Sequence, residues 1–197
     1  MSGGFDQVMA LLAMTLRYPQ AAAQVVMRYP APMQARWLAL LLIAVVSALL
    51  IHFTFALQPS EAQAVFGPLM ASPIRTTVLQ WLMLVTATGL MTVIGRWRGG
   101  SGAFPEALSL VVWLQMVLMV VQVAQLVLFV VFPPLADLLG MASLVLFLWL
   151  LTQFTCALHG FRQPWLVFVG IVVTAFGLMM ALSVVLALIL APMPGGM

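Results

Sequence analysis

Five stretches of this chain are too long and too apolar for an ordinary soluble domain: Arg36 to Leu57, Ile74 to Ile94, Pro105 to Phe132, Leu135 to Leu158 and Pro164 to Leu190. A bilayer's hydrocarbon core takes about 20 apolar residues of helix, and each stretch supplies that length. A lone strand in lipid would leave its backbone N–H and C=O groups unpaired, so each stretch reads as a helix. The expected fold is all-α: a polytopic membrane protein with five transmembrane helices preceded by short amphipathic helices. Composition agrees, with 65% of residues hydrophobic and 6% charged, against about 45–50% and about 25% in soluble domains.

Proline placement marks the same boundaries. Pro30, Pro32, Pro59, Pro68, Pro73, Pro133, Pro134, Pro192 and Pro194 fall between or beyond the spans. Pro105 and Pro164 fall in first turns, where a missing N–H costs nothing.

The arginines orient the spans. With the N-terminus in the cytoplasm, Arg17, Arg28, Arg36, Arg96, Arg98 and Arg162 lie inside and Arg75 lies outside, as the positive-inside bias requires. Trp37, Trp97 and Trp165 then occupy the cytoplasmic interface, and an odd number of spans sends the C-terminus to the far side. The chain has seven cationic side chains, all arginine, and they are scattered. They form no dense basic patch, so no nucleic-acid partner is expected. The single cysteine, Cys156, lies in an apolar run where packing is its simplest role. Asp6 and a short apolar core exclude a signal-peptide reading of the N-terminus.

This divides the chain into a cytoplasmic or interfacial segment, residues 1–35, a five-helix transmembrane domain, residues 36–190, and a periplasmic tail, residues 191–197. Within the first segment, Phe5 to Arg17 places Phe5, Val8, Met9, Leu12 and Leu16 at helical spacing. In Gln20 to Tyr29, Gln20, Gln24 and Arg28 share one side and Val25, Val26 and Tyr29 lie away from it. The pair either anchors at the membrane surface or packs against the end of the bundle.

Ion-coupled carriers hold an ionisable group in the bundle interior, and these spans place none near their middles. His52 is near the outer end of the first span and His159 at the inner end of the fourth. Glu106 and Asp137 sit in first turns, where the helix dipole favours an anion. Gln115, Gln122 and Gln125 share one side of the third span. Such amides line a polar pathway or, more simply, join helices by hydrogen bonds, as Gln80, Thr152 and Gln153 also could. No histidine pair has ligand spacing, so no metal or other cofactor is expected.

The stretch GRWRGGSGAF, Gly95 to Phe104, concentrates the remaining chemistry. A phosphate cradle would need a lysine and a preceding buried strand, and both are missing. GGSG resembles the GxSG nucleophile motif of rhomboid proteases, with His159 on the same side of the membrane. That nucleophile should be recessed in the bundle, whereas Ser101 is in an interfacial loop. The architectural reading is a tight turn at the cytoplasmic headgroups. Arg96, Arg98, Gly99, Gly100, Gly102, Phe104, Glu106, His159 and Arg162 are then its loop and partner-contact residues. Gly99 and Gly100 are expected to adopt positive φ.

The turn with GGSGAF, the following PEALSLVVW, a later PP turn and an HGF ending the fourth span together resemble the Yip1-domain family of bacterial membrane proteins. MTLRYPQAAAQVV is similar to the segment that precedes the first span in alphaproteobacterial members. The resemblance covers nearly the whole chain and implies a five-span inner-membrane protein with a cytoplasmic N-terminus. Eukaryotic relatives bind Rab-type GTPases through a DLYGP-type motif, which is missing here, so that role is not implied. The expected function is non-enzymatic: action through membrane lipids and a membrane-protein partner or second copy, for example as an accessory or assembly subunit of an envelope transport system. A small transporter or channel using the glutamine face is the competing expectation, and an intramembrane serine hydrolase the remote one.

Overall fold

The computed structural model describes residues 3–58, 67 and 72–190, and every regular element among them is an α-helix. The short N-terminal helices are α1 (Gly3–Arg17) and α2 (Pro19–Arg28). Five long helices follow: α3 (Met33–Ala56), α4 (Pro73–Trp97), α5 (Phe104–Val131), α6 (Pro133–His159) and α7 (Pro164–Leu190). All five are long and apolar enough to cross a membrane, so the protein is an all-helical polytopic membrane protein. The tail at 191–197 and the prolines at 59, 68, 192 and 194 lie outside the described residues.

Proline sets several helix starts. Pro19, Pro73, Pro105 and Pro133 each occupy the first turn of a helix, where no intrahelical N–H bond is lost. Pro133 and Pro134 thus belong to α6 rather than to a turn ahead of it. Starting the helix earlier leaves Asp137 beyond the first turn and exposed. Only Glu106 keeps the expected N-terminal place.

α5 is the central helix and packs against α2, α3, α4 and α6, while α7 lies at the edge against α6. One buried cluster joins Leu110, Trp113, Leu114 and Val117 of α5 to Leu150, Phe154 and Leu158 of α6 and to Ala23 of α2. A second joins Leu40 and Ala44 of α3, Leu84 of α4, and Leu108 and Val111 of α5. In water such burial would contribute about 25 cal/mol per Å² of apolar surface. Between helices in lipid the gain comes instead from close packing and hydrogen bonds.

α1 and α2 pack on the bundle. Pro19, Ala22 and Ala23 are buried and Val26 and Met27 half-buried, whereas Val25 and Tyr29 are exposed. The inward face is therefore the small-residue face, because alanine lets the α2 backbone come close to α5 and α6. Two side-chain bonds hold the pair. Trp113 Nε1 donates to the buried Thr15 hydroxyl at 2.9 Å, and Gln20 Nε2 donates to Gln153 Oε1 at 2.7 Å.

Candidate functional site

α4 and α6 end at the same corner with the same device. Gly99 has φ +89°, its N–H bonds Arg96 O at 2.9 Å, and Gly100 N–H bonds Gly95 O at 2.9 Å. These are the two bonds of a Schellman turn, which satisfies carbonyls the helix end would otherwise leave open. At the end of α6, Gly160 has φ +73° and Phe161 N–H closes on Cys156 O at 3.1 Å.

Between these ends sits His159, 5% exposed. Its Nδ1 accepts the N–H of Gly102 at 3.2 Å, and its Nε2 lies 3.0 Å from Met91 O. A carbonyl can only accept and an amide N–H can only donate. The ring is therefore neutral, with its proton on Nε2, donating to α4 and accepting from the loop. Phe161 stacks on it with centroids 5.4 Å apart.

Three glycines make room for the imidazole. A Cβ on Gly95 would lie 2.0 Å from His159 Nε2, and one on Gly100 would lie 2.4 Å from Nδ1. One on Gly102 would lie 2.5 Å from Leu158 Cγ and 2.9 Å from His159 Cε1. Gly99 meets the expectation of positive φ, but Gly100 does not: close approach to His159 is what excludes a side chain there. Gly95 belongs to this cradle, and sequence reasoning assigned it no role. The available signal was a histidine closing one span opposite a glycine-rich turn closing another.

The loop backbone is held from further sides. Arg96 Nε donates to Gly102 O at 2.9 Å, so the Gly102 residue is gripped at both its N–H and its C=O. Glu106 accepts Ala103 N–H at 3.1 Å, which is the side-chain-to-backbone half of a capping box at the start of α5. The Arg36 guanidinium donates to Pro105 O and, at 3.1 Å, to Ala31 O. Phe104 packs against Trp37 with centroids 6.0 Å apart. What remains outward is Arg98, Ser101, Arg162 and Trp97, the last 81% exposed.

This geometry bears on the hydrolase reading. Ser101 is exposed, and both His159 nitrogens are committed to backbone groups, so His159 has no free acceptor with which to take a hydroxyl proton. No cluster of three metal-ligating side chains occurs among the described residues.

The glutamines lie elsewhere. Gln122 and Gln125 line a cavity of about 360 Å³ with Ile51, Thr54, Phe55, Gln58 and Leu126, at the opposite end of the bundle from His159. Gln125 reaches over Gly140 of α6, where a Cβ would lie 2.8 Å from its Nε2. Gln115 is half-buried on the same helix and does not line that cavity. Among the described residues, an amide-to-amide bond across helices is made by Gln20 and Gln153.

Compared with known proteins, residues 13–187 match the family model described as the Yip1 domain. Neither a curated protein nor a solved structure matches the chain.

Proposed function

The chain belongs to the Yip1-domain family, and from that premise we propose that it is a non-enzymatic protein of the bacterial inner membrane that works through a membrane-protein partner and lipids. The observation that carries this reading is the locked loop from Gly95 to Phe104. Both His159 nitrogens, Arg96 Nε and one Glu106 oxygen are bonded to backbone of the loop and of α4, which builds a rigid platform rather than a reactive centre. Arg98 and Trp97 project from it uncovered, and arginine and tryptophan are the residue types that most often anchor interfaces.

In this reading the platform faces the cytoplasm, because Arg28, Arg36, Arg96, Arg98 and Arg162 gather at its end of the bundle. An accessory or assembly role in an envelope transport system follows as the working assignment. The transporter alternative draws on the cavity at Gln122 and Gln125. The packed cluster of Leu110, Trp113, Leu114, Val117, Leu150 and Phe154 occupies the bundle between that cavity and the His159 corner, which argues against a through-path.

The test is co-purification in mild detergent with Trp97→Ala and Arg98→Glu, membrane abundance being measured for each variant. A stoichiometric partner held by wild type and lost from an abundant, folded Arg98→Glu variant is the expected result. Solute flux through liposomes carrying the pure protein would overturn it.

A further inference from the structure

The platform has a hollow beside it. Gln24, Met27 and Arg28 from α2, Ser101 from the loop, Glu106 from α5 and Leu158 from α6 line a cavity of about 340 Å³. Small-molecule sites run from about 300 to 1,000 Å³. Arg28 and Glu106 carry opposite charge and line the same cavity, yet they form no ion pair with each other or with any described residue. One Glu106 carboxylate oxygen is taken by Ala103 N–H, which leaves the other available to a ligand. Arg28 closes α2, Ser101 and Glu106 bracket the start of α5, and Leu158 is next to last in α6. All four therefore lie at helix ends, the depth at which lipid headgroups meet a membrane protein.

From this arrangement we infer that the cavity binds a phosphoethanolamine group, the headgroup of a zwitterionic phospholipid. The phosphodiester pairs with the Arg28 guanidinium, whose donor fork matches phosphate oxygens. The primary ammonium donates to the free Glu106 oxygen and the Ser101 hydroxyl, and Gln24 supplies a further amide. Met27 and Leu158 receive the first apolar segment of the lipid. A choline headgroup carries the same charges but has no N–H donor for Glu106. A phosphoglycerol headgroup offers no cation, so beyond its phosphate on Arg28 it gives Glu106 only neutral hydroxyl donors, which bond a carboxylate less strongly than an ammonium does.

The inference rests on the reading that this corner is a docking point. It fails separately from that reading, because Trp97 and Arg98, the side chains substituted in the partner test, do not line the cavity. The experiment is native mass spectrometry of the full-length protein released from micelles containing equal amounts of phosphatidylethanolamine, phosphatidylcholine and phosphatidylglycerol. Phosphatidylethanolamine adducts should dominate. Glu106→Gln keeps an acceptor for the α5 cap while removing the charge, and should weaken that adduct about tenfold, to the phosphatidylcholine level. Arg28→Gln should weaken all three adducts. Soluble glycerophosphoethanolamine distinguishes the source of the group: an adduct it cannot displace assigns the site to the lipid, and displacement assigns it to the free headgroup. Equal retention of the three lipids, or a Glu106→Gln variant that binds as wild type while Arg28→Gln is also silent, would overturn the assignment.

Discussion

The glycine cradle makes a prediction whose sign is opposite to what helix propensity gives. Gly95 lies inside α4, where replacing glycine by alanine ordinarily stabilises a helix by about 0.8–1.0 kcal/mol. Here the new Cβ would lie 2.0 Å from Nε2 and 2.4 Å from Cδ2 and Cε1 of His159, which are ring atoms with no flexible end to swing aside. The ring must leave. Its bonds to Met91 O and Gly102 N–H contribute about 1 kcal/mol each, and leaving the Gly102 N–H unpaired costs about 1–3 kcal/mol more. Against the propensity gain, Gly95→Ala should therefore destabilise by about 2–4 kcal/mol.

A double-mutant cycle isolates the cause. His159→Ala alone forfeits the same bonds and the packing of the ring. In its background the Gly95→Ala methyl meets no imidazole, so the double variant should be no less stable than His159→Ala, and the coupling should approach 3 kcal/mol, the upper end for residues in contact. Equilibrium unfolding by a denaturing detergent in mixed micelles, followed by circular dichroism, gives the four free energies. If Gly95→Ala stabilises the wild-type background, or costs the same with and without the ring, the cradle has no energetic role and the argument fails.

Gly99 offers a contrast, because nothing lies within reach of a Cβ there and only its φ of +89° matters. Gly99→Ala should cost about 1–2 kcal/mol and be additive with His159→Ala in the same unfolding assay. Thr15→Val removes the acceptor of the buried Trp113 N–H, and should loosen α1 by about 1–3 kcal/mol, read as faster proteolysis of the N-terminal segment in folded protein. Gln122→Leu removes no hydrogen bond seen among the described residues, so its effect on unfolding should stay within about 0.5 kcal/mol of zero. For topology, reporters placed at Ser101 and after Met197 should lie on opposite sides of the membrane; the same side for both would refute five spans.

The spans were legible because hydrocarbon thickness and backbone satisfaction leave a long apolar run one option, and proline reports where a run can begin. The boundaries nevertheless moved. α3 begins at Met33 rather than Arg36, since Pro32 in an extended conformation precedes its first turn. α6 took in Pro133 and Pro134, and with them Asp137 lost its first-turn place. The polar side of α2 was legible, since Gln20, Gln24 and Arg28 are all exposed, but its packing side was not. Polar spacing left the inward face open among the remaining residues, and close packing selected Ala22 and Ala23 while Val25 and Tyr29 stay exposed. Hydrophobicity ranks valine above alanine, and helix–helix contact in a membrane favours the smaller residue.

His159 was legible as a span's last residue but not as a lock, because its partners come from 57 and 68 residues away and are backbone atoms that carry no residue signature. The chemistry still explains why a histidine suits the position. The corner presents a carbonyl on one side and an N–H on the other, and neutral imidazole is a rigid ring with a donor at one edge and an acceptor at the other. A leucine would fill the space and strand the Gly102 N–H; a lysine would offer donors to both. Three glycines admit the ring, and the ring then fixes the loop through Gly102, whose carbonyl Arg96 holds in turn. Because α4, the loop and α6 meet in that one ring, the exposed Arg98 and Trp97 are carried by a backbone tied to two spans at once. A partner that docks there meets a preformed surface and has little loop ordering entropy to overcome.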